Sequence, residues 1–281
     1  MAKGGKRAKR ISTGILAAIA LVAIYLLVST VTEGSIQYVY SIGMIGYSSY
    51  FSGINAASSV SFAIAVFVYL VFYKRESLKK AVGELRLSKR HFGIGSIAMG
   101  ILMFLAILAL EFVIALYSTT TGTTVNSNIG LLLSGATLWV YLFTAFIAPV
   151  CEEIMFRGFL VPRIGIVLSA VIFGTGHLAY MSTSYVPGLA VQAVSAIVVV
   201  ALVWFSLFRL RSPYYAISVV AVGIMFIAGY LGIEVISALV FGLIAGYVFK
   251  RTKSLYPSIT AHILVNSLAV IVYVYGVGGG V

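Results

Sequence analysis

The stretch GLLLSGATLWVYLFTAFIAPVCEEIMFRGF, residues 130–159, stays apolar or small as far as Ala148. It then sets Glu152 and Glu153 side by side, with Arg157 four residues after the second acid. A charge-free run of this kind crosses a hydrocarbon core as a helix, which takes roughly 17–25 residues. Similar runs recur along the chain, and we read nine: Ile11–Ser29, Gly53–Tyr73, Phe92–Tyr117, Gly130–Ala148 continuing to Val161, Ile164–Tyr180, Tyr185–Phe208, Tyr214–Leu231, Val235–Phe249 and Pro257–Tyr275.

Composition agrees. With 61% hydrophobic residues, 9% charged ones and a mean hydropathy of +1.10, the chain lacks the charge that a water-facing surface needs. Ten-residue alternation is absent, which argues against an outer-membrane barrel. The predicted fold is all-α, a polytopic transmembrane helix bundle of about eight or nine spans.

Orientation follows from Lys and Arg, which collect in cytoplasmic loops next to spans. With the N-terminus in the cytosol, one side receives the basic tail (Lys3 to Arg10), the Lys74–Arg90 loop, Arg157 with Arg163, Arg209 with Arg211, and Lys250, Arg251 and Lys253. These account for all 19 Lys and Arg. Glu33 and Glu234 fall on the other side. A net charge of +12 invites a nucleic-acid reading, but basic residues placed beside spans fix orientation and meet anionic lipid headgroups, so no nucleic-acid partner is expected. The basic start and long apolar run of the first span read as a retained signal anchor. Cys151, the single cysteine, excludes a disulfide within the chain and a multi-cysteine zinc site.

By motif content the chain divides into residues 1–130, membrane helices with a basic tail and the Lys74–His91 loop, and residues 131–281, where the polar motifs lie. Apolar sequence around 186–232 reads as an insertion in the second part. Ionisable groups inside spans are costly and mark functional sites by default. Four groups stand out. On a helix Glu153 and Arg157 face each other, while Glu152, about 100° around the axis, points elsewhere. Phe173 and His177 in FGTGH share a face, as do His262 and Asn266 in HILVN. Glu111 stands alone in the third span. Pro149, just ahead of the acids, removes a backbone donor and favours a kink.

Depth joins the first three groups. His177 lies roughly 20 Å from the cytosolic start of its span, His262 roughly 8 Å from the start of its own, and Glu152 roughly 15 Å above Arg163. Two acids, two histidines and an amide at overlapping depth read as a water-activating site. Plainer readings exist for each. Glu153–Arg157 serves as an architectural ion pair, Cys151 as a small apolar side chain, Glu111 as a neutral acid bonded to a neighbour, and Gly242–Gly246 as small-xxx-small helix packing.

EEIMFRG, FGTGH, FGLIAGYVFKRTKSLYPSITAH and HILVN, in this order from Pro149 to Asn266, resemble the motifs of the CAAX prenyl endopeptidase and bacteriocin-processing (CPBP) family of intramembrane proteases. The resemblance implies a helical bundle that cleaves peptide bonds near the cytosolic face with a glutamate-activated water. Carried onto this chain, Glu152 would be the general base and His177 would help hold and polarise the water. His262 and Asn266 would stabilise the oxyanion, with Glu153, Arg157 and Phe173 in support. It implies no cofactor in the metal-free form favoured here. A zinc enzyme would draw its ligands from Glu152, His177 and His262. Between His177 and Gly242 lie 64 residues, more than the family pattern has. The partner implied is a membrane-anchored peptide, CAAX-type and prenylated in some members, and the location is the cell membrane of a prokaryote. Two other classes stay open: a catalytically silent immunity or scaffold protein, and a transporter using Glu111 and Glu152 as cation sites.

Overall fold

A computed structural model describes residues 2–121, 137–177, 189–227 and 233–277. The openings of the predicted spans at Gly130 and Tyr185 and the ends at Tyr180 and Leu231 lie outside these residues. Within them the chain is helical and contains no strand, as a membrane-embedded backbone that must satisfy its own polar groups requires.

Ten helices follow one another among the described residues. They are α1 Ala2–Ser41, α2 Tyr47–Val68 with a π turn Tyr69–Tyr73, α3 Leu78–Glu84 and α4 Ile94–Thr121. The continuous helix α5, Leu138–Ile164, comes next, followed by α6 Ile166–Gly176, α7 Leu189–Phe208, α8 Pro213–Ile227, α9 Ile233–Thr252 and α10 Tyr256–Val272. Six segments are long and apolar enough to cross a membrane: Leu16–Ser41, Ala56–Tyr73, Ile94–Val113, Leu138–Ile164, Val235–Thr252 and Tyr256–Gly276. The predicted fifth, sixth and seventh spans correspond to shorter apolar helices, Ile166–Gly176, Ile197–Phe208 and Pro213–Phe226.

The first span runs further than its predicted end at Ser29. Glu33, placed above beyond the end of the first span on the outer side, lies inside α1, where Ser29 Oγ donates to its carboxylate.

The chain forms two compact units. The first comprises Met1–Leu105, Ile129–Arg163 and Val248–Val281; the second comprises Ala106–Asn128 and Ile164–Tyr247. In the first unit α2 packs along α1 and α5, and α10 packs on α5. The α1–α2 seam carries polar contacts, Tyr25 Oη with Ser58 Oγ at 2.9 Å and Thr32 Oγ1 with Ser61 Oγ at 3.3 Å, the hydrogen-bonded glue expected where lipid offers no hydrophobic drive between helices. Phe156 and Phe159 of α5 meet Phe62 and Tyr69 edge-on at 5.5 and 4.9 Å.

The Lys74–His91 loop is built into this unit. Ala81 of its helix α3 and Leu85, which caps that helix, are buried. Tyr256 Oη donates to Leu87 O at 2.7 Å, and Ser254 Oγ to His91 O at 2.8 Å, so the loop holds the start of α10. Glu84 pairs with Arg163, whose guanidinium also lies 3.7 Å from the Phe159 ring centre and donates to Phe159 O. Gly100 of α4 sits where a Cβ would come within 2.6 Å of Thr260 Cβ and 2.7 Å of Pro257 O, so only glycine permits this approach to α10.

The second unit is assembled by close backbone approach. Gly242 and Gly246 of α9 lie on Ala170 and Ile166 of α6, where added Cβ atoms would come within 2.9 and 2.8 Å of those side chains. Val171 of α6, Met225 of α8 and Val235 of α9 form a small buried cluster.

Candidate active site

The polar core of the first unit is built on one turn of α5 and one turn of α10. Glu153 and Arg157, four residues apart on α5, form an ion pair at 2.7 Å, with side chains 0% and 1% exposed. A carboxylate removed from water this completely needs a counter-charge, and the i,i+4 geometry supplies it from the same helix. The same carboxylate oxygen, Glu153 Oε1, meets His262 Nδ1 of α10 at 2.9 Å. A carboxylate paired with guanidinium only accepts, so Nδ1 is the donor.

That bond fixes which edge of the imidazole is left for chemistry. His262 Nε2 points toward Glu152, whose Oε2 lies 3.8 Å away. This exceeds a direct hydrogen bond, so the two groups face each other without one. Glu152 keeps 17% of its side chain exposed, against none for its neighbour. The two adjacent acids thus differ in surroundings: one is locked between an arginine and a histidine, while the other borders a more open space in front of the same histidine.

Asn266, one turn beyond His262, turns its Nδ2 to Thr144 O of α5 at 3.0 Å. Thr144 was not singled out by sequence reasoning, because a backbone acceptor leaves no trace in residue type. Cys151 is buried on α5 beside Glu152.

His177 and Phe173 belong to the second unit, as does Glu111. His177 is the residue at the C-terminal end of α6, part-buried. Its Nδ1 bonds Phe173 O at 3.0 Å, and its ring sits edge-on to the Phe173 ring at 4.8 Å. A carbonyl only accepts, so this nitrogen also carries its proton, and Phe173 orients the imidazole through both its carbonyl and its ring. Among the described residues Glu152, Glu153, Arg157, His262 and Asn266 are gathered in the first unit, and His177 and Phe173 are gathered in the second.

A metal centre was tested against the same donors. Among the described residues no three of His, Cys, Asp and Glu are grouped as ligands. With His262 Nδ1 held by the Glu153 carboxylate, Nε2 and the Glu152 carboxylate are the two donors that face each other in the first unit, one short of the three protein ligands of catalytic zinc, and no step below runs through a metal.

What the cluster offers chemically is a part-open carboxylate facing an imidazole whose far nitrogen is anchored, with an amide one turn away. These are the elements of water activation and oxyanion stabilisation. Residues 134–268, close to half of the chain, match the family model described as type II CAAX prenyl endopeptidase Rce1-like. The match contains every motif quoted above. No curated protein and no solved structure matches the chain. With six helices able to span a bilayer, the chain is an integral membrane protein whose residues 134–268 carry a domain of the Rce1-like type II CAAX prenyl endopeptidase kind.

Proposed function

We propose that the protein is an intramembrane endopeptidase in which Glu152 takes a proton from a water that attacks the scissile carbonyl. The observation that carries this reading is the placement of Glu152 Oε2 at 3.8 Å from His262 Nε2, while Nδ1 of the same ring is held by the buried Glu153–Arg157 pair. The nucleophilic water lies between Glu152 and the substrate carbonyl; His177 stays a catalytic candidate on the resemblance of its FGTGH motif. His262 presents Nε2, and when its ring carries the second proton that nitrogen donates to the developing oxyanion. Asn266 Nδ2 has two hydrogens, one on Thr144 O and a second for the same oxygen. Glu152 then passes its proton to the leaving amine, closing the cycle as general acid.

The substrate class is a membrane-tethered peptide, of which a prenylated CAAX-type C-terminus is the first candidate, cut near the cytosolic face of a prokaryotic cell membrane. The domain family supports this substrate class. The test is cleavage of a fluorogenic prenylated peptide by purified protein in detergent, with and without chelator. Turnover that survives chelator and is lost in His177→Ala is the expected result. Turnover abolished by chelator and restored by zinc would overturn the metal-free mechanism. Absence of turnover together with an unchanged cellular effect of Glu152→Gln would favour a silent immunity or scaffold protein.

A further inference from the structure

Pro149 leaves a carbonyl of its own helix without a backbone donor, and a side chain from another helix supplies one. In a regular α-helix Thr144 O would accept from the N–H of residue 148, four further on. Ala148 N–H instead bonds Phe143 O, five residues back, closing the π turn Phe143–Ile147. Continued in that register, Thr144 O would accept from residue 149, which is proline and has no N–H. In a membrane interior such a carbonyl has no solvent to turn to, and a neighbouring helix must satisfy it. Asn266 Nδ2 does so at 3.0 Å. One turn earlier on α10, His262 Nδ1 bonds Glu153. α10 therefore grips α5 on both sides of the proline, at Thr144 five residues before it and at Glu153 four residues after it.

We propose that Pro149, Thr144 and Asn266 form a clamp that sets the register of α10 on α5 and thereby places His262 in front of Glu152. Pro149 and Thr144 are positioning residues: they act through Asn266 and α10, and touch no substrate. The proline does more than bend α5, since it creates the acceptor that the asparagine reads. The catalytic part of this claim rests on the function proposed above; the structural part does not.

The experiment is a double-mutant cycle. Asn266→Leu removes the donor at similar volume, and Pro149→Ala gives residue 149 an N–H that can reach Thr144 O. Melting temperature in detergent and kcat with KM on the prenylated peptide are read for the wild type, each single variant and the double. Asn266→Leu is expected to lower the melting temperature by several degrees and kcat by at least tenfold. Adding Pro149→Ala is expected to restore the melting temperature and to return part of the lost kcat with KM unchanged. A double variant no more stable and no more active than Asn266→Leu overturns the clamp, leaving Asn266 to act on substrate alone. If the single variant does not fold, yield of monodisperse protein replaces melting temperature: recovery on adding Pro149→Ala supports the clamp, and its absence overturns it. Should the wild type cleave no peptide, the proposed function fails while the melting data still decide the clamp.

Discussion

The contact between α5 and α10 in the first unit and the contact between α6 and α9 in the second are both made by motif residues, but different forces hold them. On α5–α10 the contact consists of a buried ion pair, an imidazole on a carboxylate and an amide on a carbonyl. On α6–α9 it consists of glycines that bring two backbones together, with Gly242 and Gly246 lying on Ala170 and Ile166. The first contact is directional and desolvated, so it fixes particular atoms and is sensitive to charge. The second is steric, so it fixes distance and is sensitive to volume. Motifs of similar length in the sequence thus carry chemistry in one place and closeness in the other.

Substitutions should break the two contacts in different currencies. Glu153→Gln leaves the Arg157 guanidinium buried at 1% exposure without its counter-charge. Losing one partner of a buried pair costs about 3–5 kcal/mol, so thermal unfolding in detergent should show the largest destabilisation here. Replacing both partners, as Glu153→Leu with Arg157→Met, should recover most of that stability while leaving His262 without its anchor and the enzyme slow. Gly242→Val should cost less, about 1–3 kcal/mol by overpacking against Ala170, and should be indifferent to pH and salt.

The smallest effect belongs to the loop that supports the charged contact. Burial pushes the Glu84 carboxyl up, but the charge and hydrogen bond of Arg163, with Lys74 behind it, draw it below the usual carboxylate range. A depressed folded value means that the stabilisation is present above the unfolded carboxylate pKa and is lost as pH falls through the folded one. Wild type should therefore exceed Glu84→Gln in melting temperature at neutral pH by no more than about 1 kcal/mol equivalent, as expected for a part-exposed pair. The gap should close in acid. A gap that widens on acidification would contradict the assignment.

Much of this was legible before any coordinates. Apolar run length is a strong signal in a chain with so little charge, and it identified the helical bundle, although three of the nine predicted spans correspond to shorter apolar helices. The i,i+4 spacings brought Glu153 to Arg157 and put His262 and Asn266 on one face, because side-chain direction in a helix is a local property. What stayed hidden is tertiary. That Glu84 meets Arg163, that Tyr256 and Ser254 hold the Lys74–His91 loop, and that Asn266 reaches Thr144 all join residues far apart in the chain. A backbone carbonyl announces nothing in the sequence unless a proline stands where its donor should be. The reach of α1 past Glu33 was missed because a charge was read as an end, when a serine one turn away could satisfy it.

The central claim is that Glu152, and not its buried neighbour Cys151, activates the attacking group. Single-turnover cleavage of the prenylated peptide by Cys151→Ala and Glu152→Gln proteins, compared in one detergent at equal folded concentration, tests it directly. Loss of a positioned general base should slow Glu152→Gln by about 10²–10⁴-fold, while Cys151→Ala should cleave within a few-fold of wild type. A Cys151→Ala protein that is inactive beside a Glu152→Gln protein that still cleaves would contradict the account.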